Sequence, residues 1–346
     1  MQGERRDARR VAYFTSFGFV QRPDGEISSD VASVRYRVLL PARFLAERGW
    51  EIGIATLTEE HLQDPQATAR QTEADIAVMA KVVDSRAVDV AAALKARGLP
   101  VIADFCDNHF LHPQLGPLYR GLAGVADRCT ANSATMAEVV AGLTGTAAAV
   151  VFDPVEGPRN APRFAPSPSS MTLAWYGFPN GLPFLFRRLA QWQRDGLPFP
   201  LDVEIVTALS DELAHDVDAR NRAFGDRYRL STTPWSIDAV WHAIARADAV
   251  LVPSELDDLT RTKSANRLME AIYGGRLAFA TMLPSYREFE SFCLPDSGAG
   301  VLALAMRDQD AMRRKIEAGQ DYIAQRYLPV HAALAWDTLF RTLVRS

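Results

Sequence analysis

The chain has 346 residues, 48% of them hydrophobic and 23% charged, a length and balance that suit a globular protein of two ordinary domains. Its formal net charge is −4 with Lys and Arg spread along the chain, which argues against a surface for duplex nucleic acid. The cysteines Cys106, Cys129 and Cys293 are odd in number and far apart, which fits a reducing compartment and makes no metal-ligand spacing.

The first ten residues, Met1 to Arg10, are polar and Arg-rich. Their Arg5-Arg6 and Arg9-Arg10 pairs read as a solvated tail, with peripheral contact to anionic lipid as the alternative. The apolar run from Val11 to Val20 is broken by Thr15, Ser16 and Gly18; it is too short to span a bilayer and lacks a small-residue cleavage site. A cytoplasmic protein is expected. Short apolar runs then alternate with helical patterns, the signature of parallel α/β architecture. Strands are expected at Val11–Thr15, Glu51–Thr56, Ile76–Met79, Val101–Ala103, Arg128–Ala131 and Ala148–Phe152. Helices are expected at Ser33–Arg48, stopped by Gly49, at Ser85–Arg97, stopped by Gly98, and from the Ser133 cap to Ala141, stopped by Gly142. From Asp153 to Ser170 prolines recur without periodicity, as in an interdomain linker.

Alternation then resumes with strand Met171–Trp175, helix Leu182–Arg194, strand Leu201–Thr207, helix Asp211–Phe224 and strand Arg227–Leu230. A helix capped by Thr233 with Pro234 at its first position runs through Trp241 to Ala245, followed by strand Ala247–Val252, a motif helix and strand Leu277–Ala280. Asp308–Arg326 reads as helical, and after Pro329 an amphipathic run carries Leu334, Trp336, Leu339, Phe340 and Leu343. Each half has the content of a doubly wound nucleotide-binding domain, and the last helix needs a surface to cover.

The motif helix carries the chemistry. It begins at Lys263-Ser264-Ala265-Asn266-Arg267, directly after an apolar strand and loop. Unpaired N–H groups and the positive end of the macrodipole favour an anion there, and Lys263 and Arg267 add full charges. Glu270 shares a face with Arg267 and Asn266, so one helix start can hold a diphosphate while a carboxylate holds sugar hydroxyls. The plainer alternative is a surface helix with Ser264 as cap and Arg267–Glu270 as an ordinary ion pair. In the first half, two loops follow strands at their carboxyl ends, where open parallel sheets bind ligands. One contains Gly18. The other is Asp104-Phe105-Cys106-Asp107-Asn108-His109, whose Asp104, Asp107 and His109 are expected to form an acceptor or catalytic site. Arg35 and Arg37, near the start of a helix whose dipole opposes them, are expected to face a charged acceptor or the diphosphate, with Glu51 or another acidic neighbour as the plainer partner.

Two Rossmann-like halves, a proline-bearing linker, the motif helix and a final crossover-like helix together resemble glycosyltransferases of the GT-B fold, over most of the chain. Ser33-Val34-Arg35-Tyr36-Arg37 followed by Leu45-Ala46-Glu47-Arg48-Gly49 is similar to the first helix of the family 4 (retaining) enzymes. Ala247 to Ser254 followed by Glu270-Ala271 and Gly275 is similar to their donor site. The resemblance implies an α/β chain of two Rossmann-like doubly wound domains facing a cleft, with a C-terminal helix crossing back to the first domain. The boundaries would be 1–160 for the acceptor side, 161–327 for the nucleotide-sugar side and 328–346 for the helix. It implies transfer of a sugar from a nucleoside diphosphate sugar to an acceptor hydroxyl, with retention and with no bound metal or cofactor. The acceptor would be a glycan, a lipid-linked saccharide, a small molecule or a protein.

By the same resemblance Glu270 bonds the ribose, the amides of Ser264, Ala265 and Asn266 take the diphosphate, and Lys263 or Arg267 neutralises it. The loop with Thr233 and Trp235 borders the base. Where the family carries a second Glu, eight positions before the ribose-binding one, this chain has Thr262. Glu255 is the nearest upstream carboxylate and would need a looped insertion to reach the sugar. Basic residues expected at the first strand–helix junction of the second domain are missing from Gly177-Phe178-Pro179-Asn180-Gly181. Two other readings stand beside transfer: a nucleotide-sugar 2-epimerase using Asp104, Asp107 and His109, and a catalytically inactive binding or scaffold protein of the same fold.

Overall fold

Apolar runs of four to seven residues build most of two six-stranded parallel sheets in the computed structural model, which describes residues 8–21, 27–167 and 169–344. The Arg5-Arg6 pair lies outside these residues. The chain divides into two units: residues 1–156, 261–264 and 327–346 form the first, and residues 157–260 and 265–326 the second.

The first unit contains strands β1 (Arg9–Thr15), β2 (Trp50–Thr56), β3 (Ile76–Ala80), β4 (Val101–Phe105), β5 (Arg128–Ala131) and β6 (Ala148–Val150), in the order β2-β1-β3-β4-β5-β6. Every residue of β3 and β4 is buried, as parallel strands covered on both faces require. The order reverses at β1, so β1 and β3 flank the switch point at which such sheets bind ligands. The second unit contains β7 (Met171–Tyr176), β8 (Leu201–Thr207), β9 (Tyr228–Pro234), β10 (Ala249–Val252), β11 (Leu277–Ala280) and β12 (Leu294–Pro295), ordered β9-β8-β7-β10-β11-β12. This is the dinucleotide-fold order, with its switch point between β7 and β10. Its core packs Trp175, Trp192, Leu185, Leu189, Ile205 and Phe279 together.

Several elements differ from the sequence expectation. Residues 32–46 are helical, but Arg35–Leu39 form a π turn between two α segments, with the Leu40 N–H bonded to the Arg35 carbonyl. Pro41 supplies the reason: it has no N–H, and its ring would clash with the carbonyl four residues back. The wider turn puts four consecutive side chains, Arg35, Tyr36, Arg37 and Val38, into buried positions. The helix after β5 runs from Ala134 to Thr144 and stops at Gly145, which adopts φ +73, rather than at Gly142. Thr233 and Pro234 do not begin a helix; they finish β9, paired with Val206 and Thr207. An edge strand tolerates proline, and Ser236 caps the Ile237–Arg246 helix by accepting the Ala239 N–H at 3.0 Å. Helices at Glu59–Gln63, Pro65–Gln71, Leu115–Val125 and Ala299–Arg307 were not anticipated.

The C-terminal helix, Pro329–Leu343, belongs to the first unit. Trp336 is fully buried with its ring edge-on to Tyr13 at 5.8 Å, and Phe340 meets Trp50 at 5.2 Å. Trp50 Nε1 donates to Asp337 at 2.7 Å. Among the described residues no helix is long and apolar enough to cross a membrane.

Candidate functional site

In the first unit the carboxyl ends of β1, β3 and β4 carry the polar groups. Lys81, immediately after β3, is the one non-glycine residue with positive φ among the described residues, at +53. Its carbonyl accepts the Ser16 N–H at 3.3 Å, and Ser16 Oγ accepts the Val83 N–H at 3.0 Å, so the loops after β1 and β3 are tied together. The ammonium of Lys81 is ion-paired with Asp107. Burial works against the Asp107 charge, but Lys81 outweighs it and holds the carboxyl below its usual range. His109 lies beside Tyr119, ring centroids 5.3 Å apart, and burial lowers its pKa. The Cys106 thiol is pushed well up by burial. A small pocket at the switch point is lined by Tyr13, Ser33, Arg37, Lys81, Asp104 and Cys106.

Beneath this edge is a closed ionic cluster. Arg37, 1% exposed, forks onto Asp104 through Nε at 2.9 Å and Nη2 at 2.6 Å, and its Nη1 reaches Asp153 at 3.1 Å and the Val151 carbonyl. Thr130 Oγ1 donates to Asp104 at 2.6 Å. Burial disfavours the Arg37 charge, yet Asp104 and Asp153 raise its pKa above the ordinary value. Asp153 itself is raised, chiefly by burial, against the pull of Arg37 and a hydrogen bond with Ser264. Arg37 and Asp104 are thus partners of each other rather than groups offered to a ligand, which corrects the roles expected of both. Arg35 is likewise buried, its Nε 3.0 Å from Glu156 and its Nη1 3.0 Å from the Ser29 carbonyl. Gly18 is exposed, and an added Cβ there would meet no other part of the protein within 4 Å.

In the second unit the switch point between β7 and β10 brings three groups together. Gly177 turns the chain after β7, its carbonyl accepting from Thr207 Oγ1 at 2.8 Å. Arg267 lies against this turn: Nη1 donates to the Tyr176 carbonyl at 3.3 Å, and the Tyr176 hydroxyl donates to the Arg267 carbonyl at 3.0 Å. The helix Asn266–Tyr273 begins beside it, preceded by Ala265, whose side chain makes no capping bond. Glu270, 5% exposed, follows one turn later; burial first, and then Glu270, push the Tyr176 hydroxyl well above its usual pKa. The loop before the helix is fixed by Asp257 Oδ1, which accepts the N–H groups of Leu259 at 2.9 Å and Thr260 at 2.7 Å.

Not every expected donor residue joins this group. Lys263 and Ser264 cluster with the first unit, whereas Ala265, Asn266, Arg267 and Glu270 belong to the second. Ala265, not Ser264, is the residue preceding the helix. Glu255 is half exposed and paired with Arg187 at 3.3 Å. Thr233 Oγ1 donates to Glu204 at 2.9 Å from within β9, and the Trp235 N–H bonds the Thr207 carbonyl at 2.9 Å, with its side chain partly exposed. Sequence reasoning missed Lys81, Tyr176 and Asp153. A lysine directly after an all-apolar strand was the available signal for the first; the other two are fixed by packing alone. Among the described residues no group of three or more His, Cys, Asp or Glu side chains is placed to hold a metal ion, and the three cysteines are free and buried.

Comparison of the sequence with protein-family models and with curated proteins finds no match. The structure does find counterparts. A glycosyltransferase from Rickettsia africae superposes with a TM-score of 0.73 at 10% identity, over 98% of this chain and 100% of that one. Anabaena HepE in complex with UDP and glucose gives 0.69 at 13% identity, over 96% and 100%. The lipopolysaccharide outer core galactosyltransferase WaaB gives 0.63 at 13% identity, over 97% and 100%. At such identities the likeness is one of fold, and the two parallel sheets with their switch points and returning C-terminal helix place this chain in the GT-B fold shared by these glycosyltransferases.

Proposed function

We propose that the protein is a glycosyltransferase that moves a hexose from a nucleoside diphosphate sugar to an acceptor hydroxyl, with retention and without a metal ion. The observation that carries this reading is the second unit's switch point, where the start of the Asn266–Tyr273 helix, Arg267 and the buried Glu270 meet at the carboxyl edge of the sheet. Amides and guanidinium would receive the diphosphate, and Glu270 the ribose hydroxyls. Catalysis would come from stabilising the charge that develops on the departing diphosphate, by dipoles and a cation already in place. Solved counterparts with UDP and glucose, and with UDP-2-fluoro glucose, support a nucleotide sugar as the donor class. In the first unit Asp107 and His109 are the groups left to orient an acceptor, since Asp104 is held by Arg37.

Calorimetric titration with UDP, ADP and GDP and their hexose forms tests the reading. One nucleotide should bind, and Arg267→Ala should weaken it. If none binds to the folded protein, the transferase and epimerase readings both fall and the scaffold reading takes their place. Loss of free nucleotide sugar to an isomer without any acceptor would favour the epimerase.

A further inference from the structure

Phe178, at the tip of the turn after β7, is the most exposed of the large hydrophobic side chains among the described residues, at 69%. Its ring is in water, but its backbone is not loose. The Gly177 N–H bonds the Val206 carbonyl at 3.2 Å, Thr207 Oγ1 bonds the Gly177 carbonyl at 2.8 Å, and the Gly181 N–H bonds the carbonyl of Phe178 itself at 2.9 Å. Pro179 confines the preceding residue to extended backbone, and Phe178 has φ −72 and ψ 152. A rigid turn therefore presents an aromatic ring at the ligand-binding edge of the sheet, forgoing the burial such a side chain ordinarily gains.

Its neighbours define what it would touch. A Cβ on Gly177 would be 3.3 Å from Arg267 Nη1, so Phe178 is the next residue in the chain after the position that lies against the cation proposed to hold the diphosphate. The loops after the flanking strands β8 and β10 expose Leu209, Leu256 and Leu259. A sheet edge that carries a cation, a buried carboxylate and exposed apolar side chains in its loops matches a molecule charged at one end with a C–H face beside the charge. A pyranose joined to a diphosphate has that form.

We propose that Phe178 is the platform on which the donor's pyranose ring stacks, next to the diphosphate at Arg267. The inference rests on the donor site proposed above, and its test separates the two. Each bare nucleotide (UDP, ADP, GDP) and its hexose form (UDP-glucose, ADP-glucose, GDP-mannose) is titrated into the full chain and into Phe178→Ala and Phe178→Trp. The expected result is a bare-nucleotide Kd unchanged within twofold in both variants. The nucleotide-sugar Kd should rise about two- to tenfold in Phe178→Ala and return in Phe178→Trp. Equal weakening of both ligands, no weakening of either, or a sugar that adds nothing to binding in the unmutated protein overturns the stacking role while leaving the donor site standing. Failure of every nucleotide to bind the unmutated protein overturns both. Because Phe178 is exposed, thermal midpoints of the variants should match the parent, which removes misfolding as an explanation.

Discussion

Replacing Asp104 with Ala asks the most of the first unit. The carboxylate takes two of the four hydrogen bonds made by the Arg37 guanidinium, at 2.9 and 2.6 Å, and one from Thr130 at 2.6 Å, in a place where both ions are 1% exposed. Its removal leaves Arg37 with Asp153 and one carbonyl, a buried cation short of hydrogen-bond acceptors. Breaking such a pair by deleting one member costs about 3–5 kcal/mol. At about 2–4 °C per kcal/mol for a unit of 150–250 residues, the transition of the first unit should fall by roughly 6–20 °C. Calorimetric melting of Asp104→Ala reads this directly. Arg37→Met combined with Asp104→Leu and Asp153→Asn should recover most of the loss, since the three changes together leave no buried ion unpaired. A single variant that melts within a degree or two of the parent, or a triple variant as unstable as the single, would refute the structural role. Turnover per folded molecule should be little changed in Asp104→Asn, unlike a group that touches substrate.

Other outcomes follow from the same geometry. Glu270→Ala should weaken nucleotide binding by about 1.5–3 kcal/mol through lost charge-assisted bonds, measured by calorimetry; an unaltered Kd in a folded variant removes Glu270 from the donor site. His109 has a folded pKa lowered from 6.5, so the unfolded chain binds its proton more readily, and the stability tied to this group is present above pH 6.5 and lost as pH falls below it. NMR titration of its imidazole should place the midpoint below 6.5, and a midpoint above that value contradicts the burial argument. Gly275→Ala should cost about 1–3 kcal/mol, because φ is +78 and the new Cβ would sit 2.3 Å from the Ala161 carbonyl oxygen; denaturant unfolding that shows no loss would mean the 160–163 segment moves freely. His109→Ala should lower transfer more than donor affinity, and unchanged steady-state transfer would remove it from the acceptor side.

Local chemistry made much of the architecture readable. Leu182–Arg194, Leu201–Thr207, Asp211–Phe224 and Leu277–Ala280 fall where periodicity and caps place them, because each is bounded by a residue with a strong backbone preference. The π turn at Arg35–Leu39 was not seen, although Pro41 signals it, since apolar spacing alone continues smoothly through that stretch. Thr233-Pro234 looked like a helix start because the dipeptide suits one; the ladder to β8 and the better cap at Ser236 decided otherwise. Arg37 and Asp104 looked like solvent-facing chemistry because sequence shows charge but not who shares it. Their pairing joins residues 67 apart, a distance over which no pattern carries information.

The first unit is assembled from segments that lie on either side of the second unit in the chain. Trp336 and Phe340 roof Tyr13 and Trp50, and the Val155 N–H closes on the Tyr327 carbonyl at 2.7 Å. On the ribosome, the strands made before residue 157 must therefore wait, their aromatic side uncovered, until the stretch 157–326 has been synthesised. A nascent chain stalled at Arg326 would have sequence enough for the second unit but would leave Tyr13 and Trp50 without Trp336 and Phe340 to cover them.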